Sequence, residues 1–329
     1  MSRAISPVLV TGGAGYIGSH LVRKLLDRGK EVIVLDNLSY GDQGLQAVRK
    51  HPRLRFFQGD ICDIKAVVKA VKGCRTVIAL AAIVGDPACA LNEDDTNSTN
   101  YEATKVLVEV ALASGMERFI FASSCSVYGA NSKLLLNEGS WVNPVSLYAR
   151  TRVMSEKMIL ERSGSMTAVI LRLATVFGWS ERMRFDLVAN ILTAKAVTEG
   201  KIQIFGGEQL RPLIHVQDAA DAFILAAKAP EGEVDREIFN VGGDDLNFTI
   251  YDIGKRVATC VPGTNIEVHP LEEDARDYRV SFGKIRHLLA FEPQFSLEDG
   301  VREVAHALQA GRIDNYTDEV YYNVRYLYK

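Results

Sequence analysis

The chain has 329 residues, 47% hydrophobic and 24% charged, enough length for one large or two modest cores. Its formal net charge of −3 predicts no chain-wide attraction to nucleic acid or to an anionic membrane, and its apolar runs fall well short of the ~20 residues a membrane span needs. Cys62, Cys74, Cys89, Cys125 and Cys260 are scattered, with no Cys-x-x-Cys pair; with Met1-Ser2-Arg3 running straight towards the first strand, they predict a reduced, cytoplasmic protein without a leader or a metal site.

The first apolar run, 7–10, breaks into Gly12-Gly13-Ala14-Gly15-Tyr16-Ile17-Gly18 and then into a helical pattern over 16–28. Gly12 allows a sharp turn, Gly15 lets backbone amides approach a pyrophosphate, and Gly18 lets helix and strand pack closely. The phosphates would meet free N–H groups at the positive end of the helix. The next strand, 31–36, ends in Asp36, 18 residues beyond Gly18, where a carboxylate accepts both hydroxyls of an adenosine ribose. A 2′-phosphate there would face like charge, and Asn37-Leu38-Ser39 supply no Arg, so NAD is expected rather than NADP.

Further strands are predicted at 54–57, 76–81, 118–123 and 168–173, with helices at 42–50, 64–72, 98–114 and 147–163 between them. Such alternation predicts an α/β protein with a doubly wound, Rossmann-type parallel sheet, ligands lying beyond the strand carboxyl ends. Past Arg172 the pattern loosens: 179–184 is irregular, helices are expected at 186–199, 217–229, 249–260 and 297–310, and strands at 202–205, 213–216, 238–241 and 266–269. We expect residues 1–173 to bind NAD, with 211–242 returning to that domain, and 174–329 to form a smaller mixed α/β substrate domain. Residues 316–329 hold five tyrosines, and either a tail packed on the body or a frayed end suits them.

Ser123-Ser124-Cys125-Ser126-Val127-Tyr128-Gly129 closes the fifth strand, and Tyr148 and Arg152 stand at i and i+4 on a helix, one turn apart on one face. A fixed cation ~4 Å from a phenol favours the phenolate by about 4 kcal/mol at an effective dielectric near 20, as a general base requires. A nearby Ser hydroxyl can share the proton, so the trio could take a proton from a secondary alcohol while hydride passes to a nicotinamide. An ordinary helix-surface pair is the bland alternative.

The glycine loop, Asp36, Asp60-Ile61, Ser-Ser-x-x-Val-Tyr-Gly and Tyr148 at a helix start resemble the extended short-chain dehydrogenase/reductase family, most closely its nucleotide-sugar epimerase/dehydratase branch. The resemblance continues through Phe205-Gly206, Arg211-Pro212-Leu213-Ile214-His215, Phe239-Asn240 and Leu297 to Gly300. By position it implies that Gly12, Gly15, Tyr16, Ile17 and Gly18 hold the pyrophosphate, Asp36 and Asn37 the adenosine ribose, and Asp60 and Ile61 the adenine. Leu80, Ala81 and Ala82 would line the nicotinamide side, with Asn100 behind the fourth strand. Ser124 and Tyr148 would be the catalytic hydroxyls, with Arg152 beside them and in contact with the cofactor. Val84, Ser126, Thr175, Asp186, Leu187, Arg211, and Arg276 or Asp277 would face the nucleotide-diphosphate sugar. Family members pair through helices placed here at 98–114 and 147–163, so a homodimer is implied; Val106, Val110, Met154 and Met158 suit that face or packing on the sheet.

The departures matter. Arg152 stands where the family has Lys, and the swap is not conservative, since a guanidinium is longer and flatter than an ammonium. Lys157 cannot replace it, because nine residues beyond Tyr148 it points to the opposite side of the helix, roughly 13 Å away along the axis. Ala79 replaces the branch's His, and Thr175 its Asn. The 4,6-dehydratases carry Thr-Asp-Glu where this chain has Ser124-Cys125-Ser126, which disfavours dehydration. Cys125 reads as a buried filler rather than an acid/base.

Three readings stay open: an epimerase acting at C4 through a 4-keto sugar, a 4-dehydrogenase or ketoreductase with net hydride transfer, and a redox-impaired NAD-binding sensor or scaffold. The second draws on 172–187 and 274–281, which resemble GDP-heptose 4-dehydrogenase-like members, and the third on Arg152.

Overall fold

A computed structural model describes residues 7–270 and 277–326. The chain alternates through β1 (Val8–Thr11), α1 (Gly18–Asp27), β2 (Val32–Asp36), α2 (Gln43–Gln46), β3 (Leu54–Gln58), α3 (Ile64–Val71) and β4 (Thr76–Ala79). There follow α4 (Asp86–Leu91), α5 (Glu93–Asn97), α6 (Ala103–Ala113), β5 (Arg118–Ser124), β6 (Asn131–Leu136), α7 (Leu147–Arg162), β7 (Thr167–Leu173) and β8 (Thr175–Phe177). The remainder comprises α8 (Val188–Glu199), β9 (Lys201–Phe205), β10 (Leu210–His215), α9 (Val216–Lys228), α10 (Glu231–Val234), β11 (Glu237–Val241), β12 (Asn247–Thr249) and α11 (Ile250–Cys260). Last come β13 (Asn265–His269), β14 (Tyr278–Val280), α12 (Gly283–Leu289), α13 (Leu297–Gln309) and α14 (Asn323–Tyr326).

Seven strands form one parallel sheet in the order β11-β7-β5-β4-β1-β2-β3. The order reverses between β1 and β4, and the crevice at such a reversal is where ligands bind. Alternation along each strand feeds both faces. Val8, Val10, Val32 and Val34 join a core with α1 and α9, while Leu9, Ile33, Leu35 and Val77 join one with α3, α6 and α7. A smaller C-terminal layer has its own core, in which Leu192, Ile253, Val257 and Val301 pack α8, α11 and α13 together. β8, β10 and β12 form a separate three-stranded sheet.

Several boundaries differ from the sequence expectation. Only Gln43–Gln46 of 42–50 is helical. Helix 98–114 begins earlier, at α5, capped by Asn92, and passes through a π-helical turn at Ser98–Glu102 before α6. The turn matters because Asn100 lies within it and its amide group reaches back to the chain after β4, a common use of such bulges. The sequence pattern predicts none of helices α4, α10, α12 and α14 and none of strands β6, β8, β12 and β14. Met158 is buried in the sheet core rather than free for a partner. The tyrosine-rich tail packs on the body as far as Val324: Phe185 meets the rings of Tyr316 and Tyr321 edge-on, and Val324 packs on the cluster of Ile83, Ala88 and Cys89.

Helix α1 is tied to the C-terminal layer by His20, whose Nε2–H donates to the Trp179 carbonyl at 2.9 Å. Burial, then neighbouring Arg23, pulls this imidazole down to about 4. An unfolded His titrates near 6.5, so between these values the unfolded chain holds a proton that the folded one does not. Stability from this group is complete above about pH 6.5 and is lost towards pH 4, by about 3 kcal/mol. Urea midpoints measured from pH 7 to 4.5 should fall, and His20→Asn should flatten the slope.

Candidate active site

The carboxyl ends of β1, β2, β4 and β5 open into one cavity of about 1400 Å³, walled on the far side by β8, α8 and the C-terminal segment. That exceeds the roughly 300–1,000 Å³ of a pocket for a single small molecule. It has room for two ligands.

The glycine loop forms its floor. Gly12 has φ +72°, and a Cβ there would lie 2.8 Å from the Ala81 nitrogen; one on Gly18 would lie 2.2 Å from the Gly12 carbonyl oxygen. Only glycine fits either place. Gly15 and Ile17 line the cavity beside them. Tyr16 also lines it but spends its hydroxyl elsewhere, donating to the Gly178 carbonyl at 2.6 Å and accepting from Asn190 at 3.0 Å. It thereby ties the loop to the second layer. Asp36 accepts from the Ala14 amide at 2.9 Å and the Leu38 amide at 2.8 Å, so the carboxylate at the end of β2 also fixes the glycine turn. Burial holds its carboxyl above the usual range. Asn37 donates to Asp60 at 2.8 Å. Burial opposes ionisation of Asp60, yet the Cys62 amide and the Asn37 side chain outweigh it and hold the carboxyl low.

Leu80, Ala81, Ala82 and Val84 continue the wall after β4, with Ile61 opposite. Asn100 stands apart from the cavity lining. Its side chain accepts from the Ile83 amide and donates to the Ile83 carbonyl, both at 2.9 Å, so it shapes the wall from behind.

Ser124 ends β5, and its hydroxyl caps the following 3-10 turn by accepting from the Ser126 amide at 3.1 Å. The Ser126 hydroxyl is buried without a partner. Cys125 is fully buried, donates to the Arg172 carbonyl and is pushed well above a normal thiol by burial, so it fills space. Ser146 caps α7 through the Ala149 amide. That cap sets half-buried Tyr148 at the cavity wall in the helix's first turn.

One turn on, Arg152 is 3% exposed, its guanidinium carbon 5.0 Å from the Tyr148 ring centroid and 5.3 Å from that of Phe121. It lies over the ring rather than hydrogen-bonding the phenol, which departs from the simple picture of a cation facing the oxygen. One terminal nitrogen donates to the Ala122 carbonyl at 3.3 Å, while Nε and the other have no partner. Lys157 is exposed.

Behind this pair, Ser123 donates to Glu156, which takes a bidentate grip from Arg172 at 3.0 and 2.7 Å. Arg172 also donates to Tyr128 at 3.0 Å, and Tyr128 to Asn240 at 2.8 Å.

Across the cavity stand Thr175, Leu187 and Arg211, with Asp186 held bidentately by Arg184 at 3.0 and 2.7 Å. Asp277 accepts from the Leu210 amide at 2.9 Å, and Arg276 lies outside the described residues. Four further wall residues carry no motif pointing to the site: Tyr40, Asp86, Asn323 and Val324. Only the packed-tail expectation for 316–329 hinted at the last two.

The donor set fits a dinucleotide. Its floor tolerates no side chain at two glycines, and two buried guanidinium nitrogens of Arg152 await acceptors. Comparison with known proteins agrees. A family model described as the NAD-dependent epimerase/dehydratase family matches residues 8–242. A UDP-glucose 4-epimerase of Lactobacillus helveticus is 32% identical over 271 residues, 76% of this chain and 81% of its own. Among solved structures, a UDP-glucuronic acid 4-epimerase from Bacillus cereus, in complex with UDP-glucuronic acid and NAD, superposes with a TM-score of 0.83 at 25% identity, covering 92% of this chain and 99% of its own. A dTDP-glucose 4,6-dehydratase from Streptomyces venezuelae, solved with NAD, gives 0.83 at 27% identity over 93% and 98%. Glycine floor, cavity and relatives converge: this chain is an NAD-dependent enzyme of the epimerase/dehydratase family, the extended branch of the short-chain dehydrogenases/reductases.

Proposed function

We propose that the protein is a nucleotide-sugar 4-epimerase. The observation that carries this reading is the placement of Tyr148 and buried Arg152 on one helix face, at the wall of the cavity whose floor is the glycine loop. When bound, NAD supplies reversible hydride acceptance. Tyr148 takes the proton of the sugar's C4 hydroxyl, and Ser124 steadies the same oxygen. The 4-keto sugar then turns over and the proton is returned, giving the C4 epimer with no net redox change. Arg152 offers its two unpartnered nitrogens to the cofactor ribose, the task the family gives to Lys. Thr175, Leu187 and Arg211 face the diphosphate side, where a planar guanidinium suits phosphate oxygens. Dehydration lacks support, because Ser124, Cys125 and Ser126 offer no carboxylate and Cys125 is sealed in the core.

The same reading assigns 1–173 with 211–242 to NAD and 174–329 to the nucleotide sugar. It makes the enzyme a cytoplasmic homodimer through α6 and α7, where Met154 is exposed and Val106 and Val110 are half-buried. All five cysteines are free, as a reducing compartment requires. Among the described residues no helix is long and apolar enough to cross a membrane.

Mass spectrometry of co-purifying ligands, then a screen of UDP-, GDP-, ADP-, CDP- and dTDP-sugars, tests the assignment. A C4 epimer without NADH supports it; accumulating NADH or 4-keto sugar favours the dehydrogenase reading, to which the 172–187 block gives weight. Arg152→Lys is expected to raise turnover with NAD content unchanged. Absence of turnover from both forms on every sugar would leave only a binding protein.

A further inference from the structure

We propose that Arg182 is a cofactor clamp, a cation from the second layer that closes on the pyrophosphate of bound NAD and is held in place by Tyr40 and by Asn323 of the C-terminal segment. This rests on NAD occupying the cavity and not on which reaction follows.

Arg182 lines the cavity yet is only 4% exposed. Its guanidinium carbon lies 4.1 Å over the Tyr40 ring, one terminal nitrogen donates to Asn323 Oδ1 at 2.6 Å, and Nε has no partner. Burying a cation without a counter-charge is costly, and usually a carboxylate is found beside it. Among the described residues none forms an ion pair with Arg182; the nearest candidate in sequence, Asp186, gives both oxygens to Arg184. Burial and the neighbouring Arg184 accordingly weaken the hold of Arg182 on its proton. The charge is placed for an anion that the described residues do not supply.

Its position says which anion. Segment 178–182 is seated on the glycine loop, through Tyr16 on the Gly178 carbonyl and Ser180 on the Tyr16 carbonyl at 2.9 Å. Asp36, the ribose carboxylate, feels the charge of Arg182, and Tyr40 follows Asp36 by four residues. Between a glycine loop at a helix start and a ribose-binding carboxylate runs the pyrophosphate of a dinucleotide. Loop amides would grip it from below and a planar guanidinium from above. Asn323 also donates to the Val84 carbonyl at 3.0 Å, so the C-terminal segment locks the clamp to the wall beyond β4.

Calorimetry on the full-length protein, stripped of cofactor, tests this with ADP-ribose, which carries the pyrophosphate without nicotinamide, and with UDP for the substrate half. Arg182→Gln should weaken ADP-ribose about ten- to a hundredfold and leave UDP unchanged. Asn323→Ala, which keeps the guanidinium but frees it, should show the same selectivity with a smaller loss, and it carries the test if Arg182→Gln does not fold. Unchanged ADP-ribose affinity, or equal losses for ADP-ribose and UDP, would overturn the proposal.

Discussion

Tyr148→Phe should lower turnover by about 10²–10⁴-fold while leaving NAD content and melting temperature at wild-type values. The substitution removes one oxygen. The ring keeps its packing against the cluster of Ile83, Ala88 and Cys89, and Arg152 keeps its aromatic face. Loss of rate with retention of cofactor would therefore report the proton transfer itself. The effect should fall on kcat, since the hydroxyl acts where charge develops and not where the nucleotide is gripped. Activity within tenfold of wild type would place the base elsewhere; Asp86, which also lines the cavity and accepts from Ser146 at 2.7 Å, would be the first residue to test.

Glu156→Ala is expected to cost about 3–5 kcal/mol of stability, the usual penalty for leaving one member of a buried ion pair alone. Side chains of Glu156 and Arg172 are 4% and 5% exposed, and their pairing joins α7 to β7 beneath the Ser124 turn. With Glu156 gone, Arg172 keeps only its Tyr128 contact, and Ser123 loses its acceptor. The urea midpoint is the measure. The double variant Glu156→Ala/Arg172→Met should recover part of the loss, because no uncompensated charge then remains. A loss below 1 kcal/mol would show that water or repacking replaces the pair.

What could be read from the sequence is what local chemistry dictates. The glycine turn needs its residue types within a few positions of one another, and Asp36 follows one helix later, so the cavity floor and the carboxylate beside it are visible together. Tyr148 and Arg152 are visible as a pair because a helix places i and i+4 on one face. Strands of three residues, β8 and β12, have no periodicity of their own and exist because β10 pairs with both. The π turn at Asn100 depends on an amide side chain finding the backbone of Ile83, 17 residues away. Arg182 and Asn323 meet across 141 residues, a distance over which no spacing rule speaks. Nor does position alone show that Asp186 is already engaged by Arg184, or that Met158 faces the core.

A 4-epimerase returns to C4 the hydride it has taken from C4, and its cofactor stays in place. Incubating the enzyme, with no NAD added, with the nucleotide sugar that the screen identifies, deuterated at C4, and following the products by mass spectrometry and NMR tests this. The expected product is the C4 epimer with deuterium still at C4, and no steady rise in absorbance at the NADH band. Deuterium lost from the sugar into released NADH, with a 4-keto product accumulating, would contradict it.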